Sequence, residues 1–154
     1  MPRRYWLFKS EPGSYSYDDL VRDGVAEWDG VRNFTARNYL RDEVQEGDGV
    51  LFYHSSVNPQ AVVGTAVVSR AGYPDHTAWD ANSDHPDPKS TREKPLWYMV
   101  DIRPDQRFTR PVTLPEMKRV PELKGMALLK LARLSVQPVS DAEWRTILGM
   151  GMGR

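Results

Sequence analysis

The order of apolar and polar positions predicts a chain of about five or six strands. Short runs rich in aromatic and β-branched residues, bounded by Gly, Pro, Asp or Ser, are typical of strands. Runs of this kind occupy residues 4–9, 47–55, 61–70, 95–104 and 132–140. The five residues SVNPQ between the second and third runs are a suitable length for a hairpin loop.

Helix signals separate several of these runs. Ser16 precedes a short apolar-periodic segment, with Asp19 three residues later, and this spacing predicts a capped helix that stops at Gly24. Asn33 is in a similar position before a helical pattern that reaches residue 42. Near the end of the chain, Ser140 and the acidic residue three positions later predict another capped helix. Segments 111–120 and 121–130 indicate turns or short helices.

Two regions carry no regular pattern. Residues 71–95 are polar and contain four prolines, so we expect a long loop, and loops of that length are often functional. The final residues, GMGMGR, are expected to be frayed.

Connections of the hairpin type outnumber long helical crossovers in this order of elements. The pattern therefore favours an α+β fold, with a small, curved or barrel-like mixed sheet and peripheral short helices. A length of 154 residues predicts one domain, with a core over about residues 4–150.

Composition indicates the class of protein and its expected cellular compartment. Hydrophobic residues make up 40% of the chain and charged residues 27%, as in globular proteins. The apolar start of the chain is too short for a signal peptide, and no apolar run is long enough to span a membrane. The sequence contains no cysteine, which excludes disulfides and cysteine-based zinc sites. We expect a cytoplasmic protein with no membrane association.

Charge is unevenly distributed although the formal net charge is zero. Residues 89–133 hold eleven Lys or Arg against five Asp or Glu, whereas the first 77 residues hold eight against eleven. An excess of this kind predicts a basic face that contacts phosphates. The alternative is an ordinary solvated surface.

Motifs for catalysis, metals and cofactors are weak. There is no phosphate-binding loop and no nucleophile elbow, and the glycines of the C-terminal segment precede no helix. The segment DANSDH begins like a calcium loop, but His85 stands where glycine is required and Thr91 stands where glutamate is required. His76 and His85 lack a spacing that would gather them around a metal. We therefore predict no catalytic residue, no metal and no cofactor.

Trp28 raises a question that the pattern leaves open. It stands beside the Asp29-Gly30 turn and is followed closely by Arg32 and Asn33, where a large aromatic side chain is unusual. One interpretation is that Trp28 fills the core. The other is a base-recognition pocket, in which an aromatic face stacks on a planar ring while polar side chains contact its edge and a phosphate.

Eight segments of the chain, taken together, resemble the EVE domain, the family of the thymocyte nuclear protein and its bacterial relatives. In chain order these segments are YWLFKSEP, YSYDDL, WDGVRNFTARNYLR, GDGVLFYHSS, VVGTAVV, YPDHTAWD, LWYMVDI and RLSVQPVSDAEW. The resemblance covers nearly the whole chain, from about Tyr5 to Met150. It departs from many bacterial members after YPD, where those members carry a tyrosine-rich stretch.

The resemblance implies a PUA-like fold, a curved or pseudo-barrel sheet with helices around it. It also implies recognition of a modified base in DNA or RNA, without catalysis. Carried over by motif, the ligand-binding residues would be Lys9, Ser10, Glu11, Pro12, Trp28, Asp29, Val31, Arg32, Asn33, Ser55, Arg133 and Ser135. On this basis we expect Trp28 to be a pocket wall and Asn33 to read a base edge.

Two other functions stay open at this point. Lys9 and Glu11 could act as a general acid–base pair in a ribonuclease-like enzyme that uses the same pocket. Alternatively, the pocket could bind a free nucleoside, with the basic face playing no part.

Overall fold

Residues 3–131 and 133–153 are described by the structure, a computed structural model, and they form one six-stranded mixed sheet. The spatial order of the strands is β2-β5-β4-β3-β1-β6. In chain order the strands are β1 (Tyr5–Ser10), β2 (Ala26–Glu27), β3 (Gly49–His54), β4 (Ala61–Pro74), β5 (Tyr98–Thr113) and β6 (Val136–Val139).

The pairing explains why the fold is α+β. The strand pairs β3–β4 and β4–β5 are antiparallel, and β3 and β4 form the predicted hairpin. In contrast, β1 pairs with β3 in parallel, because the long segment between these two strands returns the chain to the same end of the sheet. The edge strand β6 runs antiparallel to β1, and the short edge strand β2 runs antiparallel to β5.

In the described part of the chain, five α-helices surround the sheet, and most begin where side-chain caps predict. They are α1 (Tyr17–Asp23), α2 (Phe34–Asp42), α3 (Leu114–Lys118), α4 (Ala127–Lys130) and α5 (Asp141–Met152). Ser16 and Ser140 both form complete capping boxes, as predicted. Short 3-10 helices cover His76–Trp79 and Pro121–Leu123. No helix within residues 3–131 and 133–153 is both long and apolar enough to span a bilayer.

Both faces of the central strands are buried. Successive residues of a strand point to opposite faces, so Trp6 and Phe8 of β1 belong to one core cluster while Leu7 belongs to the other. The first cluster lies beneath α1 and α2, and the second contains Trp144 of α5. This two-sided burial explains why β1 and β3 are almost continuously apolar.

Several boundaries differ from the sequence predictions. Strand β4 extends to Pro74 and so takes the first residues of the expected loop 71–95, while β5 is longer than predicted and continues to Thr113. The expectation of a frayed tail was wrong for the described residues, because α5 continues to Met152. Gly151 is buried there, since Phe108 packs so closely that a larger side chain would collide with its ring. Strand β6 is shorter than the predicted run, of which residue 132 lies outside the described residues.

Candidate functional site

An open cavity of about 880 Å³ lies between the two ends of the strand order. On one side are the end of β1 and Ser135, which precedes the edge strand β6. On the other side are the edge strand β2 and the turn that follows it. The cavity is lined by Lys9, Ser10, Glu11, Ser14, Tyr15, Asp23, Val25, Ala26, Glu27, Trp28, Asp29, Gly30, Val31, Arg32, Asp84, His85 and Ser135. The site therefore occupies the seam where the curved sheet does not close on itself.

Trp28 is both a core residue and a wall of this cavity. Its side chain is 8% exposed and its ring centroid lies 5.5 Å from those of Phe8 and Phe52. Tyr15 meets the same ring edge-on at 6.3 Å and also lines the cavity. The backbone amide of Trp28 donates to Val100 O at 2.7 Å, which fixes the indole relative to β5. The ring of Trp28 therefore packs on the core and also borders the cavity.

The turn after Trp28 is held at its centre. Gly30 has a φ of +76°, a left-handed conformation that glycine adopts without steric cost. Its amide donates to Asp75 Oδ2 at 2.9 Å, and the amide of Asp29 donates to Glu27 O at 3.0 Å. These bonds fix the direction in which the Asp29 side chain leaves the backbone.

Asp75 connects this turn to the segment after β4. Its side chain is fully buried and forms an ion pair with Arg32, whose Nη1 is 2.9 Å from Asp75 Oδ2. Burial alone would raise the pKa of the Asp75 carboxyl, but hydrogen bonds from Thr77, Gly30 and Arg32 outweigh it and hold the pKa below the usual value. Asp75 is therefore an ionised anchor under the cavity wall.

Arg32 is already engaged by the protein. Besides its ion pair with Asp75, its Nη2 donates to His85 O at 2.7 Å and its guanidinium lies 5.5 Å from the ring centroid of Trp97. These contacts order the segment that carries His85. Arg32 lines the cavity, but its main contacts are structural.

The imidazole of His85 packs against the turn at Asp29 and Gly30. Its Nε2 lies 3.1 Å from Asp29 Oδ2, and a Cβ atom at position 30 would lie 2.8 Å from its Cε1. Only a glycine at position 30 leaves room for the imidazole in this place.

The opposite wall comes from the end of β1. The amide of Lys9 donates to Ser135 O at 2.9 Å, and Ser10 Oγ donates to Tyr15 O at 2.5 Å. Burial lowers the pKa of the Lys9 ammonium. Burial also raises the pKa of the Tyr15 phenol, as does its hydrogen bond to Asp23 at 2.9 Å. This wall therefore contains the cationic side chain of Lys9, the neutral phenol of Tyr15 and the backbone at the end of β1.

The charge at the cavity is mostly negative. Among the described residues five carboxylates line it, against the cations of Lys9 and Arg32 and the imidazole of His85. The five are Glu11, Asp23, Glu27, Asp29 and Asp84. None of the described lining residues belongs to the basic segment 89–133. A phosphate would be repelled by these carboxylates at short range, so the cavity suits an uncharged or donor-bearing group.

A comparison with protein families identifies the architecture. The family model described as the EVE domain matches residues 4–150. This chain belongs to the EVE domain family. The domain is 38% identical to mouse thymocyte nuclear protein 1 over 165 residues, which covers 95% of this chain and 73% of the mouse protein.

Solved structures agree with the sequence match. A hypothetical protein from Leishmania major has a TM-score of 0.95 and 47% identity, covering 99% of this chain and 96% of that chain. The human THYN1 protein, in complex with DNA containing 5-methylcytosine, has a TM-score of 0.91 and 34% identity, covering 96% of this chain and 97% of that chain.

The EVE domain brings together eight of the twelve residues that the sequence singled out. They are Lys9, Ser10, Glu11, Trp28, Asp29, Val31, Arg32 and Ser135. They come from three separate parts of the chain: the end of β1, the turn after β2, and the residue that precedes β6, the strand paired with β1.

The other four residues lie outside the cavity. Asn33 is the N-cap of α2, and its Oδ1 accepts from Ala36 N at 3.0 Å, so we correct its expected place at a base edge. Ser55 instead donates its amide to Ser10 O at 2.9 Å, which ties β3 to the end of β1. Pro12 is in the turn after β1, and Arg133 is exposed two residues before Ser135.

Several cavity residues were not predicted. Tyr15 was within a quoted family segment, but its place as a second aromatic wall had no signal in the local pattern. Asp75, which lies beneath the cavity wall, and His85 were not predicted to contact this turn, and the described residues contain no group of three or more His, Cys, Asp or Glu side chains that could hold a metal ion. Their contacts join positions more than forty residues apart, such as Gly30 with Asp75, which periodicity cannot reveal.

Proposed function

We propose that this EVE domain is a non-catalytic nucleic-acid-binding module that takes one modified base into the cavity beside Trp28. The observation that carries the proposal is the indole of Trp28, anchored in the core on one side and bordering the cavity on the other. The similarity to the human THYN1 protein, which was solved with DNA containing 5-methylcytosine, supports nucleic acid with a modified base as the ligand class.

The dimensions and the aromatic walls suit a single base. A volume of about 880 Å³ is within the range of small-molecule sites and is large enough to admit one base. Stacking of a base on an aromatic ring contributes about 1–3 kcal/mol. A base in a duplex must leave the stack to enter such a cavity, which costs a few kcal/mol and favours bases that are modified or unpaired.

The phosphates would be bound outside the cavity. Its carboxylates disfavour a close phosphate, and the basic residues of segment 89–133 are elsewhere on the surface. Arg133 is the member of that segment nearest in sequence to a lining residue, and it is exposed. The proposed arrangement therefore separates base recognition in the cavity from phosphate contacts around it.

The test is a binding titration with short oligonucleotides that are modified or unmodified at one base, in DNA and in RNA. Wild type should bind one modified form more tightly, and Trp28→Leu should lose that preference. Trp79→Ala is the matched control, because this half-buried tryptophan does not line the cavity. Ser14→Trp gives a second variant that fills the cavity from an exposed position and leaves the packing of Trp28 intact.

Thermal melting establishes that each variant is folded before its binding is compared. Equal binding to every oligonucleotide, unchanged in Trp28→Leu and Ser14→Trp, would contradict the proposal. Cleavage of RNA that Lys9→Ala abolishes would favour the ribonuclease-like alternative. Binding of free nucleosides with no dependence on salt would favour the nucleoside-binding alternative.

A further inference from the structure

The carboxylate of Asp29 is held at one place on the cavity wall. The Asp29 amide is bonded to Glu27 O, and the next amide, that of Gly30, is bonded to the buried carboxylate of Asp75. Oδ2 of Asp29 then lies 3.1 Å from His85 Nε2. The side chain of Asp29 is 34% exposed, so it is accessible from the cavity without being mobile on a long surface loop.

His85 is itself held by groups beneath it. Its backbone oxygen accepts from Arg32 Nη2 at 2.7 Å, and Arg32 is bound in turn to Asp75. The imidazole lies against Gly30, where no larger residue leaves room for it. The position of the Asp29 carboxylate therefore depends on a chain of contacts from the buried ion pair to His85.

An ionised carboxylate can only accept hydrogen bonds. Bases differ at the edge that such a group would meet. Cytosine and adenine carry an exocyclic amino group, which donates, whereas thymine and hypoxanthine carry a carbonyl oxygen at the same ring position. A carbonyl oxygen that faces Asp29 would place two acceptors against each other with no hydrogen between them, which would cost affinity.

We propose that Asp29, with His85 as its positioning residue, selects bases that present an exocyclic amino group and rejects those with a carbonyl at that place. The inference rests on the proposed function, since it concerns the same cavity. It assigns to Asp29 the discrimination between an amino edge and a carbonyl edge, which stacking on Trp28 does not supply.

Two matched pairs of oligonucleotides test this selection. The first pair differs only in having 5-methylcytosine or thymine at one position, so both bases carry the same methyl group. The second pair has adenine or hypoxanthine. We expect wild type to prefer the amino member of at least one pair by about tenfold or more, as for other carboxylate contacts to an amino edge. In Asp29→Asn this preference should shrink or reverse, because an amide can also donate to a carbonyl.

Positioning by His85 is tested by the same ratio of affinities. His85→Ala should reduce the preference, and His85→Gln should restore part of it because its amide can donate to Asp29. Asp80→Asn is the control for Asp29→Asn, because it also removes one negative charge but lies outside the lining of the cavity. A general loss of structure would weaken binding to both members of a pair and leave their ratio unchanged.

The outcomes separate this inference from the proposed function. If wild type distinguishes modified from unmodified bases but shows no amino preference in either pair, the inference is overturned and the proposed function stands. The same holds if Asp29→Asn keeps the wild-type ratio. If binding has no dependence on any base and none on Trp28, both are overturned.

Discussion

Arg32 and Gly30 donate to the same oxygen of Asp75, each at 2.9 Å. One buried carboxylate thereby joins the turn after β2 to the segment after β4. Both segments line the cavity or carry residues that do. The wall of the site therefore depends on an ion pair between residues that are far apart in sequence. The stability of the wall should be linked to that of the ion pair.

Removal of this carboxylate should destabilise the domain. Loss of one partner from a buried ion pair leaves the other charge uncompensated, and the cost is typically about 3–5 kcal/mol. Because Arg32 is 22% exposed, we expect Asp75→Ala to lower the free energy of unfolding by a value near the lower end, about 3 kcal/mol. Denaturant unfolding followed by tryptophan fluorescence measures this. Asp80→Ala, in the same segment but exposed, should cost much less, and an equal cost would contradict the role of the pair.

The same carboxylate should contribute to acid sensitivity. The pKa of Asp75 in the folded protein lies below its ordinary value of 3.8. A depressed pKa gives stability that is present above the unfolded value and is lost as the pH falls through the folded one. Between pH 7 and pH 3, Asp75→Asn should therefore lose less stability than wild type, although it starts from a lower value. Parallel loss in the two proteins, measured as unfolding midpoints, would show that Asp75 is not the titrating group.

Gly30 should be required for two separate reasons. Its positive φ disfavours a larger residue by about 1–2 kcal/mol, and a Cβ would also displace His85. Gly47 has a positive φ of +92°, but a Cβ added there would meet no atom within 4 Å, so Gly47 shares only the first reason. We expect Gly30→Ala and Gly47→Ala both to lower the melting temperature. Only Gly30→Ala should weaken base-dependent binding in the oligonucleotide titration, and equal effects on binding would contradict the contact with His85.

The sequence predicted those parts of the domain that depend on local chemistry. Ser16, Asn33 and Ser140 each cap a helix at the position that their hydrogen-bonding side chains predicted. The fold class was also predicted, because β-branched runs and short connections reflect the sheet directly. The two-residue strand β2 was missed, since a pairing of that length leaves no periodic signal.

Prediction of the site was less complete for a physical reason. Residues of the motif around Trp28 line the cavity, whereas Asn33, which the resemblance also assigned to the site, uses its side chain to cap α2. A polar residue beside a turn can serve either purpose, and here the side-chain oxygen of Asn33 accepts the hydrogen bond of the cap. Asp75 and His85 act through contacts with the turn at Gly30, which depend on how the segment after β4 folds back.

Phosphate binding outside the cavity gives the last prediction. Exposed Arg133 is two residues before the lining residue Ser135, whereas Lys118 is exposed on α3 and does not adjoin a lining residue in the chain. Each phosphate contact that is lost should reduce the slope of log K against log salt by about 0.9 for duplex DNA. We expect Arg133→Gln to weaken binding to modified and unmodified DNA equally. It should also reduce the slope by about 0.9, the value for one phosphate contact. Lys118→Gln should leave the slope unchanged. A change in base preference in Arg133→Gln, or an equal change of slope in both variants, would contradict the separation of base and phosphate contacts.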